Sequence, residues 1–185
     1  MAARMQYIAL LRGINVGRAK RVAMADLRVL VAGLGFQNVR TLLNSGNVVF
    51  DSDVGDYADA AIRIEHALAE RTGVVARVLV LSAGDLATIV DEHPLRDVAV
   101  DHSRLLVTFL FDPADAVRLA PLATQDWTPE RLAVGTRAAY LWCPDGILAS
   151  GLAKAVGRAL GTPATARNWA TVMKLHALVM GDRSI

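Results

Sequence analysis

Cysteine is nearly missing from this chain: Cys143 stands alone among 185 residues. An internal disulfide is thereby excluded, as is a structural zinc cage built on thiolates. A reducing compartment is expected. Lysine is almost as scarce, with Lys20, Lys154 and Lys174 the only examples among 20 basic residues. Aromatic residues make up 5% of the chain, which leaves little ring surface for stacking nucleobases. No stretch approaches the roughly 20 apolar residues of a membrane-spanning helix. The apolar run from Tyr7 to Leu11 stops at Arg12, too short for a secretory signal and without a cleavage site. A cytoplasmic protein with no membrane partner is therefore expected. Net charge is only +2, which excludes a global basic field for polyanions but leaves room for a local patch.

Hydrophobic residues reach 54%, and the chain is long enough to bury a core without covalent staples. The charge is unevenly spread. Residues 1–40 carry +6 and residues 154–185 carry +4, whereas residues 51–101 carry −7. The two ends are basic and the middle is acidic. If the ends meet, they form a basic face on a nearly neutral protein.

Apolar periodicity predicts a strand at 5–11 with both faces apolar, hence central and covered on both sides. A glycine-containing loop, residues 12–21, leads to a helix at 24–34 with Gly35 behind it. Strands at 38–43 and 47–51 flank the turn Asn44-Ser45-Gly46. A helix at 57–71, with Asp59 four residues before Arg63, precedes a strand at 75–81. This order, βαββαβ, is the ferredoxin-like pattern. The remainder reads as a short helix at 83–90, a strand at 104–111, a helix from Pro113, a hairpin over 131–142, and helices at 151–160 and 168–180. That repeats the first order without a clear closing strand. The expected fold is α+β: a ferredoxin-like unit over residues 1–81, and a related, less complete α+β unit over 82–185 packed against it in one globule.

Three segments, YIALLRGINVG (7–17), VRTLLNSGNVVF (39–50) and ARNWATVMKL (166–175), resemble a bacterial family known as domain of unknown function 1697. The resemblance implies an α+β protein with ferredoxin-like character and brings no reaction, cofactor or partner with it. Arg18 stands where the family more often has a second glycine, and Asn44 where it more often has glutamine.

Of the segments that could carry chemistry, the loop after the first strand is the most suggestive. It holds Arg12, Arg18, Lys20 and Arg21 with Asn15 and Gly17, and it opens a helix N-terminus, an arrangement suited to an anion. It is neither a P-loop nor a dinucleotide fingerprint, and a solvated turn is the alternative. On a helix, Arg167, Thr171 and Lys174 would fall on one polar stripe beside Asn168, and Trp169 on the packing stripe; Arg167 reads equally as a phosphate ligand or as a buried structural cation. The two basic segments are expected to share one anion-binding surface. Ser45, Gly46 and Asn47 read as turn chemistry or a second site at the opposite end of the sheet. The four histidines show no metal-ligand spacing, and no cofactor is expected. The expected partner is a phosphate-bearing small molecule or a nucleic-acid backbone. An enzyme acting on a small phosphorylated substrate and a protein-interaction module are the alternatives.

Overall fold

The computed structural model describes residues 5–16, 21–53, 57–161 and 164–181. The chain divides into two units, Met1–Leu86 with Ala177–Ile185, and Ala87–His176. No helix among the described residues is long and apolar enough to cross a membrane.

In the first unit β1 (Met5–Leu11), α1 (Met24–Gly33), β2 (Gln37–Leu42), β3 (Asn47–Ser52), α2 (Tyr57–Thr72) and β4 (Val78–Ser82) follow one another. The sheet order is β2-β3-β1-β4, every neighbour antiparallel, which is the ferredoxin-like arrangement. Alternation along β1 sends Tyr7, Ala9 and Leu11 into the core beneath the helices, where Val48 and Phe50 of β3 join them. Ile8 and Leu10, on the other face, are also fully buried, as the doubly apolar pattern requires. Helix α2 contributes Ala60, Ile64, Ala67 and Leu68, a stripe at helical spacing. Helix α1 contributes Leu27, Leu30 and Val31; past its end the Gly35 N–H donates to the Ala32 carbonyl, and the φ of +91° at Gly35 turns the chain away from the helix. Arg63 stacks over Phe36 at 4.9 Å, donates to the Leu34 carbonyl and lies 3.6 Å from Asp59, one turn away. All four aromatic rings of this unit pack as one chain of contacts, Tyr57–Tyr7–Phe50–Phe36, with centroids 4.5–5.8 Å apart.

The second unit repeats the frame: β5 (Leu105–Leu110), a 3₁₀ helix (Pro113–Leu119) running into a short α4 (Ala120–Ala123), β6 (Arg131–Val134), β7 (Ala138–Trp142), α5 (Gly151–Leu160) and β8 (Ala164–Asn168). Helix α3 (Ala83–Asp91) follows β4, and α6 (Trp169–Gly181) follows β8, each without a linking residue. The second sheet has the order β6-β7-β5-β8, strand for strand that of the first. Its closing strand, β8, is what the sequence does not display. Ala-Thr-Ala-Arg-Asn has little intrinsic strand preference, and the segment is extended because it completes a ladder beside β5, Val107 opposite Arg167 and Phe109 opposite Thr165. Both closing strands end on a side chain that caps the next helix. The Ser82 hydroxyl accepts the Asp85 N–H at 3.0 Å, and the Asn168 amide oxygen accepts the Thr171 N–H at 3.0 Å.

His93 lies buried in the second unit, its ring 4.4 Å from that of Trp169 and 5.4 Å from that of Tyr140. Burial, with Arg96 and His102 nearby, pushes its pKa below the ordinary 6.5. The unfolded chain therefore binds this proton at a pH where the folded chain does not. The stabilisation is complete above about pH 6.5 and is lost as the pH falls through the folded pKa. Urea unfolding midpoints of the second unit's transition should drop between pH 7.5 and 5. His93→Gln should flatten that slope; an unchanged slope would show that other groups cause it. Removing the cap with Asn168→Ala should cost about 1 kcal/mol at any pH in this range.

Candidate anion-binding site

At one end of the first sheet three connections come together: the segment after β1 (described at 12–16 and 21–23), residues 43–46 between β2 and β3, and residues 73–77 before β4. Leu11 N–H donates to the Gly46 carbonyl and Arg12 N–H to the Arg77 carbonyl, both at 2.9 Å. Asn15 then organises the first loop. It sits at φ +56°, a left-handed conformation asparagine tolerates better than most residues. Its side-chain N–H₂ donates to the Val22 carbonyl at 2.9 Å and to the Asn44 carbonyl at 2.8 Å, and its oxygen accepts the Val22 N–H at 2.8 Å. One amide thus closes the loop on itself and ties it to the hairpin. Beneath it Ile14 is buried.

Gly46 is set by this closeness. Its φ is +76°, and a Cβ there would lie 2.8 Å from both Leu11 Cβ and Ile14 Cδ1. Asn47 is fully buried and donates to the Leu42 carbonyl and the Ser45 hydroxyl, each at 2.9 Å. Gly46 and Asn47 are thus turn and packing residues, and Ser45 is exposed. The expected location of this hairpin is corrected. β1 and β3 are antiparallel, Leu10 facing Asn47, so β3 begins where β1 ends and the hairpin lies against the Arg12 loop.

Arg12 is half-buried and Arg21 exposed. Gly17, Arg18 and Lys20 lie outside the described residues. Helix α1 begins with Ala23 at its N-cap, which supplies no side-chain acceptor, and has Asp26 in its first turn.

The C-terminal candidates form a different arrangement from the helical stripe expected of them. Arg167 is in β8, not on a helix, so it shares no helical face with Thr171 and Lys174. It is buried, and its guanidinium donates to the Thr165 hydroxyl at 3.1 Å and the Ala166 carbonyl at 2.8 Å. Burial lowers its pKa to about 10, still charged at neutral pH. Asn168 and Thr171 are engaged with each other, the hydroxyl donating to the amide oxygen at 2.7 Å. Lys174 is exposed and Trp169 is buried as a packing anchor. Cys143 is buried and burial pushes its thiol pKa up, away from nucleophilic chemistry. No group of three or more metal-ligating side chains occurs among the described residues.

Sequence reasoning missed the partners that build the loop end, Val22, Asn44 and Arg77. They act through backbone carbonyls, and a carbonyl leaves no mark in side-chain identity. The one legible signal was Asn15 itself, a residue type suited to a left-handed turn.

A family model described as protein of unknown function (DUF1697) matches residues 5–140. The chain belongs to this family. Two of the segments that carry the resemblance, 7–17 and 39–50, fall within the match and meet at the loop end of the first sheet; the third, 166–175, lies beyond it. No curated protein matches the DUF1697 chain. Its fold is similar to that of the conserved bacterial protein SP0830 from Streptococcus pneumoniae, with 25% identity, a TM-score of 0.78, and coverage of 96% of this chain and 99% of that one.

Two substitutions test the loop architecture. Gly46→Ala should destabilise the first unit by roughly 2–4 kcal/mol, through the left-handed backbone and the overpacking together. Asn15→Gly keeps the backbone freedom and loses the three hydrogen bonds, whereas Asn15→Ala loses both. The alanine variant should be less stable than the glycine variant by about 1 kcal/mol in chemical denaturation. Equal stabilities would show that the left-handed conformation is unimportant.

Proposed function

We propose that this protein is a binding module that recognises an anionic, phosphate-bearing ligand or a nucleic-acid backbone through the loop after β1. The observation that carries the proposal is internal to the molecule. Both units share one βαββαβ frame, yet 12 residues separate β1 from α1 and only two separate β5 from the 3₁₀ helix. The frame closes with a two-residue connection, so folding alone does not call for the longer one. The longer loop holds Arg12, Arg18, Lys20 and Arg21, and loops on a rigid scaffold are where binding groups concentrate. The second unit offers a parallel. Its β6–β7 hairpin is held by a carboxylate of its own, Glu92, which accepts from the Thr136 hydroxyl at 2.9 Å and the Thr136 N–H at 3.3 Å. The hairpin of the first unit has a neutral amide, Asn15, in contact with it instead.

Binding ranks above catalysis because Asn15 spends its side chain on backbone groups, with no carboxylate or imidazole bonded to it to serve as a general base. Arg167, Asn168 and Thr171 already have structural tasks, so the loop carries the proposal, and Lys174 is the C-terminal residue left to test.

Titration with inorganic phosphate and a short oligonucleotide should show saturable binding that weakens as salt is raised. Arg12→Gln with Arg21→Gln should reduce affinity by roughly 100-fold, given about 1.5–3 kcal/mol for each charge-assisted contact and about 1.4 kcal/mol per tenfold. Arg167→Met should change the unfolding midpoint and leave affinity alone. Lys174→Gln weakens binding only if the C-terminal helix shares the site. An absence of binding to every phosphate compound would refute the proposal.

A further inference from the structure

Each of the three connections at the loop end exposes an aliphatic side chain. Val16 is 72% exposed, Leu43 48% and Val75 71%. Val16 and Leu43 each adjoin one partner of the 2.8 Å hydrogen bond between Asn15 and Asn44; Val75 lies two residues before Arg77, whose carbonyl takes the Arg12 N–H. Single exposed aliphatic residues are ordinary, but here one stands on each of three connections that hydrogen bonds tie together. Leu43 is the telling member. It is held at φ +56°, where asparagine or glycine would sit with less strain, and its side chain is exposed nonetheless. About half of that leucine side chain meets solvent.

No tyrosine, phenylalanine or tryptophan of the first unit is left for this surface. The first unit has four aromatic residues, Tyr7, Phe36, Phe50 and Tyr57, and all four are committed to the core contacts described above. The first unit therefore offers a nucleobase none of its phenyl or phenol rings, and stacking on such rings is a main way unpaired bases are held on proteins.

Resting on the anion-binding reading above, we infer that the anion recognised at this end is carried on an aliphatic body: the site takes an aliphatic phosphomonoester in preference to a nucleotide. The phosphate meets Arg12 and Arg21, and the chain lies over Val16, Leu43 and Val75. Burying each methylene of such a chain favours the complex, an increment that inorganic phosphate cannot gain and that a polar nucleoside gains poorly.

Isothermal titration with octyl phosphate, kept below the concentration at which it aggregates, inorganic phosphate and adenosine monophosphate tests this. Octyl phosphate should bind one site at least tenfold more tightly than either comparator. The double variant Val16→Ser, Leu43→Asn should bring octyl phosphate to the level of inorganic phosphate while inorganic phosphate binds as before. Asparagine suits the backbone at position 43, so the variant should keep the parent melting temperature. If phosphate binds but octyl phosphate gains nothing over it, or if the double variant keeps the gain, the inference is wrong and the anion-binding reading stands. If none of the three compounds binds but the short oligonucleotide does, the inference is wrong and the anion-binding reading stands; if the oligonucleotide fails as well, both fall.

Discussion

The pairing of β1 between two antiparallel neighbours is the constraint on which the first unit depends. Strand β1 is bonded to β3 on one side and β4 on the other, with Tyr7 opposite both Phe50 and Ser82. A central strand in this position has no free edge, and because Tyr7 to Leu11 are buried on both faces of the sheet their side chains are apolar on each. Antiparallel pairing also decides what lies at its end. Because β3 and β4 both begin where β1 finishes, the loop from Arg12, the hairpin at Asn44 and the approach to Arg77 are brought together by the sheet itself. Asn15 and Gly46 then set the fit of these segments at the scale of single atoms.

The same frame is built twice, and the comparison separates what the fold needs from what it carries. Each unit has the same strand order, a closing strand that ends on a helix-capping side chain, and a central strand whose exit bonds to the neighbouring hairpin, Leu11 to Gly46 in one and Leu110 to Arg137 in the other. These recurring features belong to the architecture. The loop after β1 does not recur. It is long, basic and tied by an asparagine, where its counterpart is two residues and leads to an Asp112 cap on the Ala114 N–H. A difference between repeats of one frame is a better guide to function than a similarity, because packing demands are common to both.

Polar groups inside the units follow the rule that burial requires partners. Asn47 satisfies its amide within one turn; Arg167 bonds its own strand, and Tyr140 donates to the Ile89 carbonyl at 2.6 Å. For Arg167 this is the physical reason a cation placed in a basic segment of the sequence contributes to the sheet rather than to the charge field outside.

By itself the sequence determined the α+β class, the βαββαβ order of the first unit and most of its helices, because these are written in local periodicity, in Gly35, and in the turn at Asn44–Gly46. It also marked Arg12 and Asn15 as belonging to an unusual loop, and Trp169 as a core residue. Tertiary structure alone decided the rest. Strand β8 exists because β5 offers a ladder to a segment without strand preference, and that converts Arg167 from a member of a helical stripe into a buried sheet residue. The hairpin lies against the basic loop because of strand direction, which periodicity does not encode. The bonds that shape the loop end run to the carbonyls of Val22, Asn44 and Arg77, and a backbone carbonyl is the same in every residue. Contacts of that kind are chosen by geometry, so no reading of side chains in order could have found them.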